Sequence, residues 1–231
     1  MSNTATATEV WRDASAINSA MLRVYNYMLM AIAVSGVVAG LVASSVPLMQ
    51  FLFTGVMKWI VIFAPLVAVF AITWALNSNP PKSMALAMLL GFAGLMGLSL
   101  ATVFHVFTTG SIVMAFASAA ILFGTMSLYG YFTQRSLESM GQFLIVGLIA
   151  VIIASIVNIF VGSSVLTMVI SAIAIVIFLG LTAYDTQQIR EMVSLESAAD
   201  SAEVSGALTL YLDFINIFVN LLQLFGNKND N

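Results

Sequence analysis

The sequence predicts an all-α polytopic membrane protein with seven transmembrane helices. Hydrophobic residues make up 61% of the 231-residue chain and charged residues only 7%, and the mean hydropathy is +1.06. A soluble domain of this composition would have too little polar surface to face water. Seven apolar runs, each near the ~20 residues that a membrane span requires, alternate with short breaks that carry polar and turn-forming residues.

The predicted spans follow one another along the chain, and the short breaks between them make neighbouring helices antiparallel. The spans are residues 25–44, 59–76, 84–107, 112–132, 143–162, 165–184 and 207–226. We expect the seventh span to be enclosed by the other six, because its polar residues must be kept away from lipid. The longest break, residues 185–206, is predicted to be an acidic connection between the last two spans.

The two ends of the chain are predicted to lie outside the seven-helix domain, which covers residues 24–226. Residues 1–23 form a polar tail, in which apolar residues at helical spacing favour a short helix in the membrane interface. A disordered tail with chance periodicity fits these residues nearly as well. Residues 227–231 form a short C-terminal tail.

The basic residues predict the orientation of the chain. With the N-terminus in the cytoplasm, Lys58 and Lys228 lie outside and the other five of the seven basic residues lie inside. Because cytoplasmic loops are enriched in Lys and Arg, and the reverse orientation inverts this excess, the N-terminus is predicted to be cytoplasmic.

Composition argues against several kinds of functional site. The chain has no cysteine, so that it can form no disulfide, thiolate nucleophile or thiolate metal site. A single histidine, His105, is too few for a zinc hydrolase built on several imidazoles. A net charge of −3 offers no basic patch to nucleic acid. We therefore expect no enzyme activity, no resident cofactor and no nucleic-acid partner, and we expect the lipid bilayer as the main surroundings of the chain.

The last predicted span, "LTLYLDFINIFVNLLQLFG", carries polar residues inside an apolar segment. Asp213, Asn216, Asn220 and Gln223 are spaced three, four and three residues apart, which places them on one face of a helix. Because an ionised Asp in mid-membrane costs at least about 2.5–3.5 kcal/mol, this face is expected to meet protein or a water-filled cavity. The three amides are interpreted either as a pore lining or as partners in hydrogen bonds between helices.

A second carboxylate is predicted to lie near Asp213. Asp185, in "GLTAYDTQQIREM", ends the sixth predicted span, and Asp213 lies about two turns into the seventh. Both carboxylates therefore fall at a similar depth on the same side of the membrane. If they are neighbours, they cannot both ionise cheaply and would share one proton, which makes a proton-sensitive latch. Alternatively, Asp185 is a solvated carboxylate at a helix end.

The segments "AYDTQQI" and "LYLDFINIFVNLLQLFG" resemble the closing signature of the transmembrane Bax-inhibitor-motif family. The resemblance covers essentially the whole chain, including "GFAGLMGLSLATVF" and "NIFVGSS", and within the family the chain is similar to the bacterial inner-membrane branch. It implies a seventh helix between two groups of three helices and a pH-sensitive calcium leak. It also implies that Asp185 and Asp213 form the gating pair and touch calcium only transiently, in a multi-pass protein of the bacterial inner (cytoplasmic) membrane.

The chain departs from the family at the end of the second span. Some bacterial members carry arginines there, one of which latches onto the aspartate pair. This sequence reads "ITWALNSNPPKS", without an arginine, and Lys82 comes several residues later. How the closed state is held is therefore open at this stage.

Three other interpretations are compatible with the sequence. The resemblance also associates bacterial members with a membrane-bound AAA protease, as a substrate or a non-conducting modulator, and the Ser/Thr-rich tail would suit such a partner. An intramembrane aspartyl protease is least favoured, because no proline follows Pro81 and Asp213 lacks a glycine-flanked motif. His105 could sense pH, although such a residue more often hydrogen-bonds across a helix interface.

Overall fold

The protein folds into a bundle of α-helices. The computed structural model describes residues 3–195 and 201–229. Its helices are α1 (Asn3–Ala43), α2 (Val46–Phe53), α3 (Met57–Leu76), α4 (Lys82–Val106), α5 (Thr109–Phe132), α6 (Glu138–Val161), α7 (Ser164–Leu195) and α8 (Ala202–Phe225). All except α2 are long and apolar enough to cross a membrane, so the predicted class and the number of spans are confirmed.

The two longest helices extend beyond the predicted spans. The α7 helix continues to Leu195 and α8 begins at Ala202, so most of the predicted connection 185–206 is helical. It is helical because Thr186, Ile189 and Val193 recur at helical spacing and are buried. The α1 helix runs without a break into the first span. The interface helix predicted within residues 1–23 falls largely on residues 1–13, whose side chains, like the segment 196–200, lie outside the described residues.

The break after the first span contains a helix that the sequence analysis missed. The eight-residue α2 begins at Val46, between the predicted spans 25–44 and 59–76, with Pro47 in its first turn. Proline suits this position, because the first N–H groups of a helix have no intrahelical acceptor. None of its residues is buried, so α2 lies on the outside of the bundle.

The spans form two groups of three around α8, as the family resemblance implies. In one group α4 packs against α1 and α3, and in the other α7 packs against α5 and α6. The α8 helix lies between the groups, against α1, α4, α5 and α7, and touches α3. It is the most buried span, whereas α6 is the least buried and packs mainly on α7. Four of the six other spans therefore cover most of α8, whereas a ring of all six was predicted.

The antiparallel order gives the bundle two different ends. Arg23, Lys82, Arg135 and Arg190 lie toward the end at which α8 begins, and this is called the basic end below. At the opposite end, the segment after α8 is held on the junction of α4 and α5. The backbone of residues 227–229 hydrogen-bonds the backbone of residues 106–108 there, with N···O distances of 2.9 and 3.0 Å.

Candidate functional site

Asp185 and Asp213 meet at the interface between α7 and α8, near the basic end. Their carboxyl groups are near enough to share a hydrogen bond once one of them carries a proton. Asp213 is only 4% exposed, and Asp185 is partly buried. The matched depth read from the sequence is therefore a true proximity, and the alternative of a solvated, isolated Asp185 is wrong.

The surroundings of the pair favour one shared proton. Oδ2 of Asp213 is buried and has no hydrogen-bond partner within residues 3–195 and 201–229. The neighbouring hydroxyl of Thr182 donates to Phe178 O at 2.7 Å. Two like charges in a poorly solvated site repel each other, whereas a proton on either carboxyl supplies the missing donor and removes one charge. The pair is thus best satisfied with one negative charge.

The residues around Asp185 hold α7 in place by hydrogen bonds to other helices. The side chain of Gln187 accepts from Leu137 N at 2.8 Å and donates to Arg135 O at 2.9 Å, which ties α7 to the loop between α5 and α6. Thr186 lies 3.0 Å from Ser127 Oγ of α5. Much of the "AYDTQQI" segment therefore positions the carboxylate and does not itself line a cavity.

Two glycines allow α5 and α6 to approach this segment closely. A Cβ atom at Gly130 of α5 would lie 2.1 Å from Ala183 O, and one at Gly141 of α6 would lie 2.5 Å from the ring of Tyr184. Real side chains do not fit at these distances, so both positions need glycine. The α5 and α6 helices therefore pack closely on α7 at the residues next to Asp185.

The polar face of α8 is only partly covered by protein. Asn216 and Asn220 are half-buried, and Gln223 is exposed, whereas Phe218 and Leu221 are buried. Gln223 is therefore not enclosed as expected, but it accepts a hydrogen bond from Ser171 Oγ of α7 at 3.1 Å, which is the bond between helices given above as the alternative for the amides.

The asparagines of this face do not join helices through their amide donors. Nδ2 of Asn216 donates to Leu212 O at 2.8 Å, and Nδ2 of Asn220 donates to Asn216 O at 2.9 Å. Each amide thus satisfies its donor on the preceding turn of its own helix. Because these donors are already satisfied, the two side chains can be partly exposed without an unpaired N–H group.

Lys82 belongs to an ion cluster at the start of α8 and not to the aspartate pair. Its Nζ lies 2.8 Å from Glu203 Oε2, and Nη2 of Arg23 lies 2.6 Å from Glu203 Oε1. The Glu203 side chain is 13% exposed, and Lys82 Nζ also lies 5.4 Å from the centre of the Tyr27 ring. The cluster connects α1, α4 and α8, ten residues before Asp213.

Sequence reasoning missed Glu203 as a member of the site. The available signal was a lone acid at the start of the last apolar segment, with Arg23 and Lys82 predicted at the same side of the membrane. Hydropathy alone could not show that all three converge, because they come from three different helices. The cluster occupies the region in which the family's arginine latch was expected, although it binds another carboxylate.

The remaining predicted residue, His105, is exposed near the opposite end of the bundle. Its side chain forms no hydrogen bond within the described part of the chain, so the expected bond across a helix interface is not found; its backbone oxygen accepts from Asn229 Nδ2 at 3.0 Å. No group of three or more acidic or histidine side chains capable of holding a metal occurs among the described residues.

Comparison with known proteins identifies the family. The family model "Inhibitor of apoptosis-promoting Bax1" matches residues 17–230. An uncharacterized protein of Rickettsia prowazekii is 41% identical over 214 residues, which cover 91% of this chain and 90% of the relative. Inner membrane protein YbhL of Escherichia coli is 36% identical over 213 residues, 90% of this chain and 91% of the relative. An uncharacterized protein of Caulobacter vibrioides is 38% identical over 225 residues, 91% of this chain and 89% of the relative. With seven spans, the carboxyl pair on its last two helices and these relatives, the chain is a multi-pass membrane protein that belongs to the Bax inhibitor-1 family.

Proposed function

We propose that this protein is a pH-sensitive cation leak, with calcium as the principal ion, gated by Asp185 and Asp213. The observation that carries the proposal is the contact of two carboxyl groups between α7 and the central helix α8, one of them almost fully buried. A lone buried carboxylate in a membrane is costly, and a pair is costlier still unless protons or cations neutralise it. Ionisable groups at such depth typically belong to ion or proton pathways.

Gating follows from the charge of the pair. With one shared proton, the carboxyls attract each other through a hydrogen bond and keep α8 against α7. When the proton leaves, two like charges face each other at close range and repel. Repulsion moves α8 relative to α7 and opens the basic end of the bundle. Protonation of an open form has an opposing effect, because it weakens the attraction of the pair for a passing cation.

A cation would meet oxygen ligands along the same helix. Ca²⁺ prefers six to eight oxygens, so two carboxylates need help from water and other oxygen atoms. The Oδ1 atoms of Asn216 and Asn220 accept no hydrogen bond from any residue that the structure describes, and both side chains are half-buried on the same face as Asp213. We infer that the carboxyl pair makes a transient contact with calcium and that the asparagines extend the polar path.

The proposed location is the bacterial inner membrane, with the N-terminus in the cytoplasm. One relative is named an inner membrane protein, and the excess of Lys and Arg at the basic end favours that end as cytoplasmic. The gate would then lie on the cytoplasmic side, where calcium is scarce.

Flux into liposomes tests the proposal. The purified protein is reconstituted, and Ca²⁺, K⁺ and H⁺ fluxes are measured over a pH series for the wild type, Asp185→Asn, Asp213→Asn and the double variant. Each single substitution removes a titrating charge at constant size, so each should flatten the pH profile of calcium flux. The double variant should add little, because the two residues act as a unit.

The matched control is Glu191→Gln, which removes an exposed carboxylate from α7 outside the pair. It should leave the profile unchanged. If both aspartate variants retain the wild-type profile, the pair is structural. If the wild type carries no cation at any pH, a non-conducting role with a protein partner such as a membrane-bound AAA protease becomes the better account.

A further inference from the structure

A lateral groove separates α1 from α5. It encloses a cavity of about 870 Å³, and Phe214 of α8 lies among its lining residues. On α1 the lining residues extend from Asn18 to Ile32, which corresponds to roughly 21 Å along a helix. Leu22 and Leu128, on the two walls, are each at least 60% exposed, so the groove opens toward the outside of the bundle.

The groove is apolar in the half away from the basic end and polar in the half toward it, where the hydroxyls of Tyr25 on α1 and Ser127 on α5 lie 2.7 Å apart and join the two walls. Its walls carry Leu29 and Phe116, whereas Gln134 and Arg190 lie at the end. Nη1 of Arg190 donates to Tyr131 O at 2.9 Å, and its guanidinium carbon lies 5.2 Å from the centre of the Tyr131 ring. These contacts fix the guanidinium group at the mouth of the groove.

Arg190 keeps hydrogen-bonding capacity for a ligand. A guanidinium group has five N–H donors, and it remains charged at every physiological pH. Within the described residues it makes only the bond to Tyr131 O, and both ion pairs there belong to Glu203. The end of the groove therefore offers a fixed positive charge that suits phosphate geometry.

The position of the groove selects a lipid as its occupant. Both walls belong to membrane-spanning helices, so its apolar part opens into hydrocarbon, where acyl chains are the surrounding solvent. Its length of roughly 21 Å exceeds the ~15 Å that half of a hydrocarbon core of about 30 Å provides, so one lipid of a single leaflet can place its chain there and its headgroup at the end. A zwitterionic headgroup brings its own cation near Arg190, whereas an anionic one does not.

We propose that the groove between α1 and α5 is a binding site for one anionic phospholipid, whose acyl chain lies along the apolar walls and whose phosphate is bound by Arg190. This site is separate from the carboxyl pair and does not depend on cation conduction. The lipid would bridge the two groups of three helices, because α1 belongs to one group and α5 to the other.

Native mass spectrometry of the full chain, in detergent with equal amounts of phosphatidylglycerol and phosphatidylcholine, tests the site. The wild type should retain one phosphatidylglycerol in preference to phosphatidylcholine. Gly124 lines the groove, and a Cβ atom there would have no neighbour within 4 Å. Gly124→Leu should therefore fill the groove without displacing protein and should reduce the retention of both lipids. The control is Gly36→Leu on α1, which also has open space around it but does not line the groove.

A second pair of variants separates headgroup recognition from chain binding. Arg190→Gln should lower the preference for phosphatidylglycerol by about tenfold, as expected for one charge-assisted hydrogen bond, while some lipid remains bound. Arg135→Gln removes an exposed arginine at the same end and should leave the preference unchanged.

Photoactivatable phosphatidylglycerol, with the reactive group on its acyl chain, gives a readout on the unmodified protein. Adducts should concentrate on residues 21–32 of α1 and 116–128 of α5. Equal retention of both lipids by the wild type, equal lipid binding by Gly124→Leu and Gly36→Leu, or adducts spread evenly over all spans would each overturn the proposal. A stable dimer that excludes lipid from the groove would identify a second copy of the chain as the occupant instead.

Discussion

At the scale of single residues, the site depends on what two carboxyl groups do to each other. Asp213 is almost completely buried, and one of its oxygens has no donor among the described residues unless a proton is present. A residue of this kind cannot be explained as a generic polar contact, since an asparagine would fill the same space at lower cost. A carboxylate at this position can change its charge, which the proposed gating requires and an asparagine could not supply.

The proposed shared proton predicts that the stability of the folded protein depends on pH. Loss of the proposed shared proton leaves two like charges in contact within the bundle, so we expect the folded wild type to be destabilised as the pH rises. The repulsion between the two ionised carboxylates is then on the order of a few kcal/mol. Asp213→Asn removes one of the two charges, so its melting temperature relative to that of the wild type should increase with pH. Intrinsic tryptophan fluorescence during heating measures this difference. A constant difference from acidic to alkaline pH would contradict the shared proton.

At the scale of helices, two ion pairs tie the start of α8 to α1 and α4. Glu203 pairs with cations from two other helices, and both pairs are shorter than 3 Å. The side chain of Glu203 is largely buried, although Arg23 and Lys82 are 45% and 38% exposed, so solvent weakens the attraction. In the proposed gating movement, we expect this cluster to hold the start of α8 in place while the carboxyl pair ten residues further along separates.

Glu203→Gln tests this expectation. The change removes the charge of one carboxylate that serves two cations and should lower the free energy of unfolding by roughly 1–3 kcal/mol, since charge-assisted hydrogen bonds contribute about this much and partial exposure reduces it. It should also raise calcium flux, because α8 loses its anchor. Thermal unfolding and liposome flux measure the two effects. Glu191→Gln, on an exposed surface, is the matched control, and a Glu203→Gln protein indistinguishable from it would remove Glu203 from the mechanism.

At the scale of the whole molecule, the lipid environment explains which features could be predicted. The seven spans follow from hydropathy, because a helix in hydrocarbon needs about 20 apolar residues whatever it packs against. The contact of Asp185 with Asp213 follows from their depth and the cost of lone charges. The helical segment after Asp185 was mistaken for a loop, because its polar residues hid a buried face with helical spacing.

Other features depend on three-dimensional packing that no single segment encodes. The cluster of Arg23, Lys82 and Glu203 joins residues up to 180 positions apart. Gln223 shares the helical face of Asp213, yet it is exposed, because neighbouring helices cover only part of that face. A periodic pattern thus identifies which residues lie together on a helix but not how far its neighbours extend over them.

The central position of α8 has a consequence for biosynthesis. Helices leave the ribosome in chain order, so the six other spans are inserted before the helix that separates their two groups has been made. Until then, the faces of α1, α4, α5 and α7 that α8 will cover have no native partner. A chain that stops at residue 200 should therefore insert into membranes but remain sensitive to membrane proteases, whereas the full chain becomes resistant. Pulse-chase labelling of the two chains measures this difference, and equal lifetimes would show that the two groups assemble without their centre. The bundle would thus be complete only after its last span has been translated. A chain that ends anywhere before α8 would then be degraded by membrane proteases and would not form a partially active bundle.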